Sequence, residues 1–235
     1  MWNSLYIITI IAFYLNKKKV YQLNLYLLAL TIFPSLLILW FFVKSDKFPE
    51  PTNVIIKVFI WGIVISIPIF FINTYLLFQI PDKHIAMFPA AFVEEGFKFL
   101  VFYFIVLKLK DFDEPMDALV YGVTVSLGFA TLENIYYVYF SDFSIIYGST
   151  LLASIRAISA IPAHAAFGCL MGYFMFKYHY EGARSNIILA FIIPSLVHFV
   201  YNFTAVTGSL FFLLTVVLVL IFISVFIFGK LKKQQ

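Results

Sequence analysis

The sequence predicts an all-α integral membrane protein, a polytopic bundle of about eight transmembrane helices. Hydrophobic residues make up 63% of the 235-residue chain and charged residues only 12%, whereas a soluble domain has roughly 25% charged residues. The mean hydropathy is +0.98. The apolar residues are also collected into long runs, and about 20 such residues cross the hydrocarbon core as a helix. We therefore expect a multi-pass protein of the cell membrane, with the lipid bilayer as its surroundings.

Eight apolar runs are candidates for membrane spans, and short connections with Pro, Gly or charged residues separate them. The first run is short for a full crossing, so the number of spans falls to seven if it does not cross. Because no linker interrupts the series, residues 1–235 are expected to form one transmembrane domain. The runs are residues 2–15, 23–43, 54–80, 85–107, 116–140, 151–176, 187–206 and 209–228.

Basic residues at the ends of the runs predict the orientation of the bundle. If the helices alternate in direction, most of the basic residues fall on one side, and the positive-inside rule places that side and the C-terminus in the cytoplasm. The cluster from Lys17 to Lys19 contradicts this rule, so either the first run is not a normal span or this loop is an exception. The net charge of +4 forms no patch, so no nucleic-acid partner is expected. The basic residues on the cytoplasmic side are Lys44, Lys47, Lys57, Lys108, Lys110, Lys177, Arg184, Lys230, Lys232 and Lys233.

Seven ionisable residues lie inside the apolar runs, where water is scarce. Each charged side chain at membrane depth costs roughly 2.5–3.5 kcal/mol on insertion scales, so such residues face one another or a water-filled cavity and are usually functional. We therefore expect a polar cluster inside the bundle. The seven residues are Glu94, Glu95, Lys98, Glu133, Arg156, His164 and His198.

Helix geometry brings several of these side chains towards one layer of the membrane. With a rise of 1.5 Å per residue, Glu94 and Glu95 lie roughly 14 Å below the outer end of their helix, and His198 lies roughly 12 Å below the end of its own. The same count puts Glu133 at roughly 10 Å and His164 at roughly 20 Å. The layer predicts a polar pocket that opens towards the outer face.

Spacing within the helices restricts which side chains meet. Neighbouring residues of a helix point about 100° apart, so only one of Glu94 and Glu95 can aim at a given site, and the other is free to pair with Lys98. His198 and Asn202 are four residues apart and share a face. Two adjacent carboxylates in a low-dielectric setting are not both ionised unless a cation compensates for them.

Five segments in order along the chain resemble the PrsW family of bacterial membrane proteases, distant relatives of the CAAX prenyl endopeptidases. Any one segment alone is a weak signal, but together they cover about residues 46–202. The segments are SDKFPEP (45–51), FVEEGFKFL (92–100), DEPMDALVYGVTVSLGFATLEN (113–134), RAISAIPAH (156–164) and HFVYN (198–202).

The resemblance implies a protease that makes the first cut in a single-pass membrane anti-sigma factor, on the extracytoplasmic side, and leaves a stub for a second intramembrane protease. Its partner would be a membrane-anchored protein substrate of this kind. The chain departs from some relatives in two places: residue 202 is Asn where family members can have Asp, and the CAAX branch has His where this chain has Glu133. The family's catalytic positions correspond to Glu94, Glu95, Glu133, His164 and His198.

A mechanism without a metal cofactor is the first hypothesis for these residues. Glu94 or Glu95 would act as general base on a water, and His164 would orient that water or carry the proton. His198 and Asn202 would donate hydrogen bonds to the developing oxyanion. Glu133 would hold one of the two histidines in the required tautomer.

A zinc ion held by the same side chains is the alternative, because nitrogen and oxygen ligands suit that metal. Its ligands would be Glu94, Glu133, His164 and His198, and loss of activity with a chelator, restored by zinc, would exclude the metal-free mechanism. In either case Lys98 and Arg156 are expected to serve as supporting counter-charges or interfacial anchors at least as much as in chemistry.

Two other classes of function stay open from the sequence. A proton-coupled transporter also uses buried Glu, His and Lys residues, and a non-catalytic protein could bind membrane-anchored partners. Cys169 lies about 140° around the helix from His164 and is expected to be a buried apolar side chain. Asp46, Lys47 and Glu50 are expected to form a solvated loop.

Overall fold

A computed structural model describes residues 25–235, which form nine α-helices and one short 3₁₀ turn. Each predicted run from the second to the eighth corresponds to one helix or to a pair of consecutive helices. The first run, residues 2–15, and the Lys17 to Lys19 cluster lie outside the described residues. The helices are α1 (Leu25–Ser45), α2 (Thr52–Gln79), α3 (Lys83–Phe104), α4 (Pro115–Phe140), α5 (Asp142–Tyr147), α6 (Ser149–Ile158), α7 (Ala160–His179), α8 (Asn186–Val206) and α9 (Leu210–Lys232).

Six helical segments of the described part are long and apolar enough to cross a membrane: α1, α2, α4, α6 together with α7, α8 and α9. Helix α3 has 22 residues and a length of roughly 33 Å, but Glu94, Glu95 and Lys98 interrupt its apolar surface. The prediction of an all-α polytopic membrane protein is confirmed. The charges on α3 are buried by the helices around it.

The predicted run 151–176 is one helix in the sequence analysis and two helices in the structure. Helix α6 ends at Ile158 and α7 begins at Ala160. Pro162 explains the break, because it has no N–H to donate to the Ile158 carbonyl and is tolerated in the first turn of a helix. His164 lies four residues from the start of α7, whereas the predicted depth of roughly 20 Å was counted from the start of one continuous helix.

Glycines let α2 and α7 approach α4 closely. A Cβ atom on Gly62 of α2 would overlap the Val125 carbonyl of α4, and one on Gly128 of α4 would overlap the Phe59 carbonyl of α2. On another side of α4, Gly122 meets Gly168 of α7 in the same way. Small residues at such interfaces are the usual means by which membrane helices pack. Helix α4 is therefore held between α2 and α7.

The helix directions define two ends of the bundle. At the Lys83 end, helices α2, α4 and α8 finish and α3, α7 and α9 begin, with α6 just ahead of α7. At the Lys44 end, α1, α7 and α9 finish, and the Lys47 ammonium donates to the Gln235 carbonyl at 3.1 Å. The Lys83 end is fixed locally by Asp82, whose carboxylate accepts from the backbone N–H groups of His84 and Ile85.

The loop after α1 differs from the solvated loop that the sequence predicts. Asp46 and Glu50 are buried, with exposed fractions of 5% and 7%. The Tyr121 hydroxyl donates to Glu50 Oε2 at 2.6 Å, and the Gln235 side chain donates to Asp46. Burial raises the pKa of the Glu50 carboxyl. The loop was predicted to be solvated because the sequence does not reveal that α4 and the C-terminus cover it.

Candidate functional site

Four helices bring the five acidic and histidine residues predicted from the sequence into one buried cluster. Glu94 and Glu95 come from α3, and Glu133, His164 and His198 come from α4, α7 and α8. The side chains of the two histidines and of Glu95 are at most 2% exposed. Buried ionisable groups require partners, and the distances below identify them.

Glu95 is held by two donors at a single oxygen. Its Oε1 accepts from the Lys98 ammonium at 2.7 Å and contacts His198 Nδ1 at 2.8 Å. The Lys98 and Glu95 side chains are fully buried, so each charge depends on the other for compensation. Because a carboxylate only accepts, Nδ1 of His198 carries the proton and Nε2 presents a lone pair. Glu95 therefore compensates Lys98 and orients His198.

His164 has a partner at each ring nitrogen. Its Nδ1 lies 3.1 Å from the Lys98 ammonium, and its Nε2 lies 3.0 Å from Glu133 Oε2. An ammonium group can only donate, so Nδ1 accepts and the ring proton lies on Nε2, where it is donated to Glu133. The carboxylate thus fixes the tautomer of His164.

Arg156 compensates Glu133 and joins three helices. Its guanidinium donates to Glu133 Oε2 at 2.7 Å and to Asn134 Oδ1 at 2.6 Å, and it lies 4.0 Å from the centre of the Tyr137 ring. The Asn134 amide donates in turn to the Thr31 carbonyl of α1 at 2.8 Å. These contacts fit the role of counter-charge expected for Arg156.

Glu94, like Glu95, has one oxygen without a hydrogen-bond partner among the described residues, but this oxygen of Glu94 faces His198 Nε2. Its Oε1 accepts from the Asn73 amide of α2 at 2.9 Å. Its Oε2 is buried without a hydrogen bond and lies 3.6 Å from His198 Nε2, too far for a hydrogen bond. Two acceptors therefore face each other across a gap that suits a water, a proton or a cation.

Asn73 was missed in the sequence analysis, which searched the apolar runs for ionisable residues only. The signal was present, because an amide in a membrane span also requires a partner. Asn202, in contrast, was predicted to support the site. Within residues 25–235 it makes no hydrogen bond to the cluster, although it lies one turn from His198 on α8.

The cluster includes three residues that fit a metal ion. One oxygen of Glu94 and one ring nitrogen each of His164 and His198 lie within 4.8 Å of one another. Nitrogen and oxygen ligands in this number, with a fourth position open, are typical of catalytic zinc sites, and a carboxylate behind His198 is the usual support for a ligand. Glu133, predicted as a fourth ligand, is not part of this triangle.

A cavity of about 370 Å³ lies between α2 and α4 and reaches the cluster. Asn73, Glu94 and Glu133 supply polar atoms at its inner wall, and the rest of its lining is mostly apolar and aromatic. The size is at the lower end of the range for ligand pockets. The polar cluster is therefore accessible from one side of the bundle.

Comparison with known proteins identifies the family to which this arrangement belongs. The profile of a family described as PrsW family intramembrane metalloprotease matches residues 50–228. The chain belongs to the PrsW family. It is 37% identical over 182 residues to Protease PrsW of Oceanobacillus iheyensis, which covers 75% of this chain and 81% of that protein. All five members of the acidic and histidine cluster lie in the matched segment.

Two further PrsW proteins show similar relationships. Protease PrsW of Clostridioides difficile is 33% identical over 193 residues, 77% of this chain and 79% of that protein. Protease PrsW of Bacillus subtilis is 30% identical over 218 residues, 87% of this chain and 93% of that protein. No solved structure matches the chain. This PrsW-family member is thus a membrane peptidase, which decides against the transporter and the non-catalytic binding protein.

Proposed function

We propose that this peptidase makes the first cut in a single-pass membrane anti-sigma factor, on the extracytoplasmic side of a bacterial cell membrane. The observation that carries the proposal is the gap between Glu94 Oε2 and His198 Nε2, which are 3.6 Å apart beside a cavity. A water about 2.8 Å from each atom fits off the line that joins them. The cut would leave a membrane-bound stub for a second intramembrane protease.

Glu94 is better placed than Glu95 to act as the general base. Glu95 already compensates Lys98 and orients His198 through its Oε1, whereas Glu94 lines the cavity and its unpaired Oε2 lies 3.6 Å from His198 Nε2. In the proposed reaction Glu94 takes a proton from the water while His198 Nε2 accepts its second O–H. The water oxygen adds to the scissile carbonyl carbon, the C–N bond breaks, and the proton passes from Glu94 to the leaving nitrogen.

The other charged residues keep these two groups in position. Glu95 holds His198 with its Nε2 lone pair towards Glu94, and Glu133 with Lys98 holds His164 in one tautomer. A hydrogen bond behind a catalytic imidazole fixes both its tautomer and its orientation. The neutral form of His198 presents no N–H at Nε2, so the predicted role of His198 as an oxyanion donor gives way to the role of water acceptor.

The family description names a metalloprotease, and the residues present fit zinc. Glu94, His164 and His198 would hold the ion. When bound, zinc would act as a Lewis acid and make its water a nucleophile at neutral pH. Glu94 and His198 would then serve as ligands rather than as water acceptors, while Glu95 would keep His198 oriented.

The location of the cluster supports a cut near the outer face. Glu133 lies seven residues from the end of α4 and His198 eight residues from the end of α8, both at the Lys83 end. These positions correspond to depths of roughly 10–12 Å. Because most basic residues lie at the Lys44 end, we propose that this end and the C-terminus are cytoplasmic.

Cleavage of a model substrate in oriented liposomes tests the proposal. The substrate is a single-pass anti-sigma-factor-like protein with a different tag at each end, and mass spectrometry of the two fragments identifies the cut bond. We expect the cut within or just outside the outer half of the substrate's membrane segment. An efficient cut on the cytoplasmic side, or an intact substrate, would contradict the proposal.

A further inference from the structure

Helices α2 and α4 form a groove, and their backbones come into direct contact at one end of it. Their backbones touch at Gly62 and Gly128, and one turn further on the Ser66 hydroxyl donates to the Phe129 carbonyl at 3.4 Å. Beyond this point, towards the Lys83 end, the two helices line the cavity of about 370 Å³. We call this space the α2–α4 groove.

The outer edges of the groove face the surroundings of the bundle. Ile67 and Phe71 of α2 are 54% and 66% exposed, and Phe140 of α4 is 59% exposed. In a membrane protein such large apolar side chains contact lipid. The groove therefore connects the lipid phase with Glu94, and an occupant can reach it from within the bilayer.

The inner wall of the groove offers hydrogen-bond acceptors that lack partners within the described residues. Asn73 uses its Nδ2 for Glu94 Oε1, but its Oδ1 is buried and has no hydrogen bond, like Glu94 Oε2. An unpaired buried acceptor costs about 1–3 kcal/mol. The fitting occupant is therefore apolar in its side chains and brings N–H donors.

A peptide meets these requirements only where it is unwound. A transmembrane helix uses its N–H groups internally, whereas an extended segment leaves them free for recognition. The unpaired acceptors on the inner wall of the cavity therefore favour an extended segment over an intact helix.

We infer that the α2–α4 groove is the docking site for the substrate, in which a short unwound stretch of a membrane-anchored protein directs its backbone N–H groups at Asn73 Oδ1. This inference rests on the proposed proteolysis. It adds the route of access and makes Asn73 a residue that contacts the substrate and also positions Glu94. Phe70 and Tyr136 face each other across the groove, with ring centres 4.8 Å apart, and must separate when the substrate enters.

Reversible cross-linking of the groove tests the route of access. Cys169, the one cysteine in the sequence, is first replaced by Ala in the full chain. The pair Phe70→Cys and Tyr136→Cys joins α2 to α4, and the control pair Phe88→Cys and Phe199→Cys joins α3 to α8 at a similar ring contact of 5.3 Å. Both pairs are joined by a bifunctional thiosulfonate linker that dithiothreitol removes.

The two pairs are expected to respond differently. Cross-linking α2 to α4 should abolish cleavage of the tagged single-pass substrate, and dithiothreitol should restore it, while the α3–α8 pair should remain active throughout. Unchanged cleavage after α2–α4 cross-linking would overturn the inference. If the uncross-linked protein cuts no substrate, the proposed function fails instead, and the following measurement still decides the question of docking.

Photo-cross-linking tests docking without requiring turnover. Benzoylphenylalanine is placed at Phe71 in the groove or at Phe222 on α9 of the Glu94→Gln variant, two positions of similar exposure, 66% and 73%. We expect a substrate adduct from residue 71 and none from residue 222. Equal yields, no adduct, or an adduct with residues 1–24 of the chain itself would overturn the inference.

Discussion

Glu94 Oε2 and His198 Nε2 lie 3.6 Å apart with no hydrogen bond between them. The second polar atom of each side chain has a partner of its own. Asn73 donates to Glu94 Oε1, and Glu95 contacts His198 Nδ1. Two acceptors fixed in this way cannot satisfy each other. The arrangement is suited to a third species between them, and the predictions below follow from it.

Glu95→Gln should destabilise the protein, because it removes the charge that compensates the fully buried Lys98. Breaking a buried ion pair costs about 3–5 kcal/mol. Glu94→Gln should unfold at nearly the wild-type temperature, since the Gln carbonyl can still accept from Asn73. Thermal unfolding in detergent measures the difference between these two variants.

A second substitution separates the contribution of Glu95 to protein stability from its contribution to peptidase activity. In Glu95→Gln/Lys98→Met the uncompensated ammonium is gone, so thermal stability should recover, but peptidase activity should not, because His198 is no longer oriented. Equal melting temperatures for Glu94→Gln and Glu95→Gln would contradict the assignment of Lys98 to Glu95.

If Glu94, His164 and His198 hold zinc, the purified protein should contain about one zinc ion per chain, as expected for a single three-ligand site. Plasma mass spectrometry of the metal measures this directly. His198→Ala should lose the zinc, whereas His84→Ala should retain it, because His84 lies at the start of α3, outside the cluster. A metal-free preparation that cuts substrate in the presence of a chelator would instead support water activation by Glu94 and His198 alone.

Asn73→Ala should lower kcat/KM by roughly 10- to 150-fold, since hydrogen bonds to charged groups contribute about 1.5–3 kcal/mol. Thr74→Val is the matched control, because Thr74 also lines the groove but its hydroxyl already donates to the Phe70 carbonyl at 2.7 Å. We expect the control to retain nearly full activity. Similar kinetics for Asn73→Ala and wild type would exclude a role for Asn73 in positioning Glu94.

Gly128→Ala should reduce stability by about 1–3 kcal/mol, the usual cost of overpacking, because its Cβ would overlap the Phe59 carbonyl. Gly229→Ala on α9 is the control, since a Cβ there meets nothing within 4 Å. Melting temperatures in detergent compare the two. If Gly128→Ala is as stable as Gly229→Ala, the close approach of α2 and α4 is not required.

The sequence was sufficient to predict the long helices of the described part, because long apolar runs leave little choice in a bilayer. It missed the break at Ser159, although Pro162 three residues later was a signal of it. It also placed Asp46 and Glu50 in solvent, since burial of a loop depends on which helix end and which terminus pack against it. Local spacing does not contain that information.

For the site, the sequence identified the residues that come together but not the role of each residue. Spacing allowed either Glu94 or Glu95 to pair with Lys98, and only the packing of α8 against α3 selects Glu95, through His198. Asn73 was not predicted as a site residue because it is uncharged and lies in none of the five segments that resemble the PrsW family. Its importance depends on a contact between α2 and α3.

The central claim is that Glu94 activates the water that cuts the substrate, and the rate of cleavage by Glu94→Gln tests it most directly. The matched control is Glu181→Gln, a change at a 41% exposed side chain near the end of α7. With the tagged single-pass substrate, Glu94→Gln should cut about 10²- to 10⁴-fold more slowly than wild type, the range for loss of a general base. Glu181→Gln should match wild type. Cleavage by Glu94→Gln at the wild-type rate would contradict the account.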